Sequence, residues 1–164
     1  MVIETWKVYW SEHSSDTYLH GAKIQFHSAD DVEYENYLMP SGTIIKQWYS
    51  KTSFQTQKIE PILPMIDGES QYHISVDISS EDEANCLIRL VFFDRYEHEV
   101  GFINVREKEM DFQCPLKTYS YRMQLIHAGA SHFHFHSVTI QEVGHGTDKQ
   151  STENKKNIKK GQKL

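Results

Sequence analysis

Strict alternation of apolar and polar residues, repeated along the chain, constrains the fold more than any other feature. Tyr72, Ile74, Val76 and Ile78 alternate with Gln71, His73, Ser75, Asp77 and Ser79. Ala22, Ile24 and Phe26 alternate with Lys23, Gln25 and His27, and Tyr119, Tyr121, Met123 and Leu125 with Thr118, Ser120, Arg122 and Gln124. Trp6, Val8 and Trp10 share a face opposite Thr5, Lys7 and Tyr9. Side chains on a strand point to opposite faces in turn, so each of these segments reads as a strand with one wet face. No stretch of ten residues has the 3.6-residue periodicity of an amphipathic helix; Glu81 to Ala84 is long enough for a single helical turn.

Other runs are apolar on both faces. Cys86 to Phe93 is interrupted only by Arg89, as expected of a strand covered on both sides or lying centrally in its sheet, and Val100 to Val105 carries apolar residues on both sides. Val32 to Met39 and Thr43 to Tyr49 read as an antiparallel pair joined at Pro40-Ser41-Gly42. Breaks at intervals of about 8–12 residues give eight to ten strands. The predicted fold is an all-β antiparallel sandwich of the jelly-roll kind, with Tyr72, Ile74, Val76, Ile78, Phe92, Leu125 and Phe133 in its core. Aromatic residues, 12% of the chain, suit such half-buried pleated surfaces.

The sandwich is expected over residues 1–143. Residues 144–164 change to Lys, Asn, Gln, Ser, Thr and Gly, with Ile158 and Leu164 the only large apolar side chains, and read as a basic disordered tail. Six lysines against Asp148 and Glu153 give that tail a formal +4, so the overall −6 leaves −10 on the body. The tail can serve as an electrostatic arm toward an anionic lipid or acidic partner, or simply as a solubilising end. An acidic body argues against nucleic acid as partner, because phosphate binding needs a concentrated cationic face. The opening residues lack the charged and apolar regions of a secretory signal, and no apolar run approaches the roughly 20 residues that span a bilayer. The expected location is cytoplasmic, with Cys86 and Cys114 as reduced thiols.

Chemistry-bearing patterns are few. His132, His134 and His136 stand at strand spacing, so their imidazoles share a face while Phe133 and Phe135 turn inward. Three imidazoles suit zinc or iron. Ligands side by side on one flat strand splay, however, and no neighbouring carboxylate in the sequence supports them. No metal or other cofactor is therefore expected. Asp30, Asp31, Glu33 and Glu35 read as a solvated acidic rim, not a hydrolase pair, and no nucleophile elbow, phosphate loop or metalloprotease motif occurs. Catalytic residues are expected to be absent. Trp10, Tyr18, Tyr37, Trp48 and Tyr49 are the candidate ligand- or partner-binding residues, as flat faces that could stack on sugar or extended peptide. The alternative is that they are core, the favoured reading for Trp10; of the adjacent Trp48 and Tyr49, one must face outward.

The order Tyr18-Leu19-His20-Gly21, Leu38-Met39-Pro40-Ser41-Gly42, Ile44-Ile45 with Trp48 and Ser50, and Pro61-Ile62-Leu63-Pro64 carries a resemblance. It continues through Phe92-Phe93-Asp94-Arg95 to Phe133 and Phe135 with Val138 and Ile140. Over roughly residues 4 to 143 the chain resembles the third, smallest family of accessory secretory proteins of the Gram-positive accessory Sec system. The resemblance implies a carbohydrate-binding-module-like fold and a non-enzymatic subunit in complex with two larger accessory secretory proteins. It further implies a cytoplasmic place, peripheral at the inner membrane face, and a role in exporting a glycosylated serine-rich repeat adhesin through a dedicated ATPase and channel, with that ATPase a further candidate partner.

Two readings from other classes compete. A free-standing carbohydrate-binding module would normally be exported, and a cupin-like metalloenzyme would use His132, His134 and His136. Strands apolar on both faces favour a partner, since a lone small domain cannot cover that much apolar surface.

Overall fold

A computed structural model describes residues 5–12, 16–50, 63–80 and 85–144, and in it the chain folds into ten strands. They are β1 (Thr5–Val8), β2 (Lys23–Ser28), β3 (Asp31–Glu35), β4 (Ile44–Tyr49), β5 (Gln71–Ser80), β6 (Asn85–Phe93), β7 (Glu99–Val105), β8 (Glu109–Gln113), β9 (Ser120–Ala128) and β10 (His132–Gly144). Every pairing between them is antiparallel. One sheet runs β2-β3-β10-β5-β8, with β1 also on β10; the other runs β4-β9-β6-β7. No helix forms among the described residues, so none there is long and apolar enough to cross a membrane. The helical turn expected at Glu81 to Ala84 and the tail from residue 145 lie outside the described residues.

The alternating segments became strands, although Phe26 on the edge strand β2 and Tyr119, just before β9, are exposed. Tyr72, Ile74, Phe92, Leu125 and Phe133 are buried, and Val76 and Ile78 pack against them half-buried. Facing side chains of the two sheets interlock: Trp48 of β4 stacks on Phe135 of β10 at 5.3 Å between ring centroids, as aromatic pairs in cores do. β6 lies between β9 and β7, with Ile88, Leu90 and Phe92 in the core and Leu87, Arg89, Val91 and Phe93 on the outer side of the sheet.

Two local devices shape the sheets. Along β10 the inward positions change from odd (Phe133, Phe135) to even (Val138, Ile140), and a bulge at His136 between Phe135 and Ser137 absorbs the extra residue. In β4 a bulge between Ile44 and Lys46 turns both Ile45 and Lys46 into the core.

One expectation is corrected. Residues 32–39 and 43–49 do not pair. β3 lies between β2 and β10, whereas β4 pairs with β9 in the opposite sheet. The Pro40-Ser41-Gly42 turn does form: Thr43 N–H donates to the Pro40 carbonyl at 3.2 Å and Gly42 has φ 88°. It carries the chain from one layer to the other instead of closing a hairpin. The apolar faces of both strands are satisfied across the sandwich, a solution that local patterning does not distinguish from direct pairing.

Candidate functional site

The sandwich presents two outer faces, and their chemistry differs because different residues occupy the outward positions of the two sheets. On the four-stranded sheet the outward residues include Gln47 and Tyr49 of β4, Arg122 and Gln124 of β9, Leu87, Arg89, Val91 and Phe93 of β6, and Phe102 of β7. The Arg122 guanidinium lies between two rings, 5.2 Å from Tyr49 and 4.9 Å from Phe93. That of Arg89 lies 5.4 Å from the Phe102 ring, while its Nε donates to Asn104 at 2.8 Å. Each arginine is thus held flat by cation–π contact with its charge toward solvent. Phe102, on the edge strand, is 56% exposed. The only carboxylate on these four strands is Glu99, at the start of β7. Arginine and aromatic side chains with few carboxylates make up the composition of a protein-docking surface.

The five aromatic residues singled out from sequence separate in the fold. Trp10 and Trp48 are buried, Trp10 in line with its favoured core reading and Trp48 as the inward member of its pair, so neither indole is offered to a ligand at the surface. Trp48 packs edge-on to Trp10 at 6.3 Å, stacks on Phe135, and donates its Nε1 proton to the Tyr9 carbonyl at 3.1 Å. Such large apolar rings gain more from the core than from a wet surface. Above both indoles sits the fully buried Lys46, its Nζ 5.9 and 5.5 Å from the Trp10 and Trp48 rings and 3.3 Å from Thr17 Oγ1. Burial pulls its pKa down to about 8.

Tyr49 is the outward member of its pair. Its hydroxyl donates to the Asp16 carboxylate, and burial followed by that bond pushes its pKa well up. Tyr18 lies half-buried where residues 17 and 18 run against β4, and Tyr37 is 69% exposed between β3 and β4. The five therefore form no common platform. Sequence reasoning missed Arg122, Arg89, Phe93 and Phe102, although an arginine inside an otherwise apolar strand was a visible signal.

The outer face of the six-stranded sheet is an array of imidazoles and carboxylates. His132 Nε2 lies 2.6 Å from one oxygen of Glu33, and His27 Nε2 lies 2.7 Å from the other. Hydrogen bonds from His27 and His132 hold the Glu33 carboxyl at a pKa of about 2. His134 Nδ1 lies 2.7 Å from Asp31 and His136 Nδ1 2.8 Å from the Asp30 carbonyl. The rings of His134 and His136 stack at 6.3 Å, and those of His27 and His134 at 6.0 Å. Phe133 and Phe135 do point inward. The carboxylates that the sequence showed no sign of beside the histidines are supplied by β3, about a hundred residues earlier, through the register Phe133↔Tyr34 and His134↔Glu33. A second imidazole–carboxylate pair, His73 with Asp111 at 2.6 Å, joins β5 to β8, and its hydrogen bond raises the His73 pKa.

Neither cysteine has the character of a nucleophile. Cys86, beside a hollow of about 80 Å³ between Val76 and Lys108, is pushed up to about 12 by burial, and Cys114 to about 11. Both are free thiols.

Comparison with known proteins places this architecture. The profile of the accessory Sec secretory system ASP3 family matches residues 17–142. An accessory Sec system protein of that designation from Streptococcus gordonii is 36% identical over 146 residues, 84% of this chain and 92% of that protein. This chain belongs to the ASP3 family. A relative of the same designation from Staphylococcus aureus is 27% identical over 88% of this chain, which spans 45% of that longer protein. Among solved structures, a crystal structure of accessory secretory proteins 1, 2 and 3 from Streptococcus pneumoniae superposes with a TM-score of 0.77 at 28% identity, covering 84% of this chain and 95% of that one. A glycosylation-associated protein (Gap123) complex from Streptococcus agalactiae gives 0.78 at 32% identity over 85% of this chain and 45% of that one.

The segments that carry the ASP3 resemblance have mechanical roles here. Asn36, buried after β3, donates from Nδ2 to the His20 carbonyl at 2.8 Å and accepts from Leu38 N–H at 3.0 Å. The Tyr34 hydroxyl donates to the Tyr18 carbonyl at 2.8 Å. Gly21 takes φ 75°, and an added Cβ would stand 3.1 Å from both Asn36 Oδ1 and Leu38 Cδ1. Tyr18 to Gly21 and Leu38 to Gly42 are thus tied together by buried polar groups, with Trp48 packed in the core.

Proposed function

We propose that this chain is a non-catalytic docking subunit of an accessory Sec export complex, held by two larger accessory secretory proteins through the outer face of its β4-β9-β6-β7 sheet. The observation that supports this most directly is the arginine–aromatic composition of that face on a body of formal charge −10. Arg122 between Tyr49 and Phe93 is already fixed in place, so burying it against a partner costs little further side-chain entropy. Among the described residues β7, with Phe102 exposed on it, also forms a sheet edge open to strand addition. The two ASP3-like solved structures are described as assemblies of several accessory secretory or glycosylation-associated proteins, which supports the same reading.

In this role the subunit works in the cytoplasm, peripheral at the inner face of the membrane, and assists export of a glycosylated serine-rich repeat adhesin. Of the five aromatic residues singled out from sequence, Tyr18, Tyr37 and Tyr49 reach the surface, alongside the exposed Tyr96, Phe102 and Tyr119. The test is to express the chain alone and together with its two larger partners and to compare elution on size exclusion. Co-elution of all three is expected. A soluble monomer that elutes apart from both partners at micromolar concentration would overturn the reading and favour a free sugar-binding module.

A further inference from the structure

The imidazole–carboxylate array on the opposite face has a role that docking through β4-β9-β6-β7 does not explain. We propose that Glu33, His132 and His134 form a binding site for a zinc-class divalent cation, tying β3 to β10 across their shared register. This inference does not rest on the docking reading.

The arrangement answers both objections that the sequence raises. Ligands side by side on one strand would splay, but here the third donor comes from the neighbouring strand, with Glu33 directly opposite His134. One ligand atom each of Glu33, His132 and His134 lies within 4.8 Å of the other two. Zinc bound at about 2.0–2.2 Å to nitrogen and oxygen places its tetrahedral ligands about 3.4 Å apart. Rotamer adjustment covers the difference, since the three residues are only half-buried. Where His132 Nε2 and Glu33 Oε2 now share a proton at 2.6 Å, the cation takes the proton's place and the two ligand atoms move slightly apart.

Supporting groups are present as well. An ionised Asp31 carboxylate can only accept, so at 2.7 Å it fixes the proton on His134 Nδ1 and leaves Nε2 with a free lone pair. A carboxylate behind a ligating imidazole sets its tautomer and raises its basicity in metal sites generally. His27 performs a similar service for Glu33, holding the oxygen that His132 does not engage. Glu33 and Asp31 bring two carboxylates to the imidazole cluster, a donor set that suits a cation with nitrogen and oxygen ligands. Water takes the fourth position.

The experiment uses the full chain without a histidine tag, stripped with chelator, and titrates it with zinc chloride by calorimetry at neutral pH. One-to-one binding is expected, together with a rise in melting temperature on adding zinc. Glu33→Gln and His134→Ala should each weaken binding at least tenfold and abolish the thermal shift, while Asp31→Asn weakens it about tenfold. His73→Ala, which removes the isolated imidazole on β5, should change nothing. Circular dichroism confirms that each variant is folded, and cobalt absorption gives a spectroscopic readout of a tetrahedral site. Absence of saturable one-to-one binding, or binding that survives both Glu33→Gln and His134→Ala in folded protein, would overturn the proposal.

Discussion

Lys46 offers a quantitative test of the core. Its ammonium is fully buried over two indole rings, with Thr17 Oγ1 as a hydrogen-bond partner at 3.3 Å. Burial lowers its pKa from 10.5 to about 8, so the unfolded chain binds this proton up to pH 10.5 whereas the folded chain releases it near pH 8. Between those values the unfolded state holds more protons, and stability contributed at this site rises with pH. At about 1.4 kcal/mol per tenfold, keeping the charge buried at pH 7 costs at most about 3 kcal/mol, part of which the two indoles return. Lys46→Met fills the same volume without a charge. It should stabilise the protein by about 1–3 kcal/mol at pH 7, and that advantage should shrink by about half at pH 9.5. Urea unfolding of both proteins at the two pH values, followed by circular dichroism, measures this. Comparing variant with parent cancels the tyrosine and cysteine titrations common to both. A variant less stable than the parent at pH 7, or an advantage independent of pH, would refute the reasoning.

Asn36→Ala should destabilise by about 1–3 kcal/mol in thermal or urea unfolding, because it removes the two hydrogen bonds by which the buried amide ties the His20 carbonyl to the Leu38 N–H. Trp48→Ala should cost about 3–5 kcal/mol of stability, whereas Tyr37→Ala on the exposed connection should change it by less than about 0.5 kcal/mol in the same unfolding measurement. Removing residues 147–164 should leave the melting temperature within a few degrees of the parent, since their composition offers almost no apolar side chain to bury.

Legibility of the sequence followed the range of the interaction. Faces set by alternation within one strand were readable, as for Tyr72 and Ile74 on β5 or Phe133 and Phe135 on β10. The partnership of strands was less so: β3 and β4 carry apolar faces that fit either a hairpin or two opposed sheets, and only the packed core decides between them. The inward turn of Lys46 depends on a one-residue bulge that reverses parity, and no composition rule marks it. The histidine cluster was visible, yet its carboxylates were not, because Asp31 and Glu33 reach it through a register spanning about a hundred residues. Among candidate binding residues, the indoles of Trp10 and Trp48 went to the core for the same hydrophobic reason that made them conspicuous. Of the outward arginines, Arg89 is visible as the interruption of an apolar run, whereas Arg122 is one of the ordinary polar alternates of β9 and carries no such signal.

The central claim is that the β4-β9-β6-β7 face meets the larger accessory secretory proteins, and charge reversal on each face tests it most directly. Binding of the full chain to the co-purified pair of larger partners is measured by biolayer interferometry for the parent, Arg122→Glu, and Asp77→Lys on the opposite sheet. Arg122→Glu should weaken binding at least tenfold, about 1.4 kcal/mol or more, chiefly through faster dissociation, while Asp77→Lys binds like the parent. Parent-like binding by folded Arg122→Glu, with the loss appearing instead in Asp77→Lys, would contradict the account and move the docking surface to the histidine face.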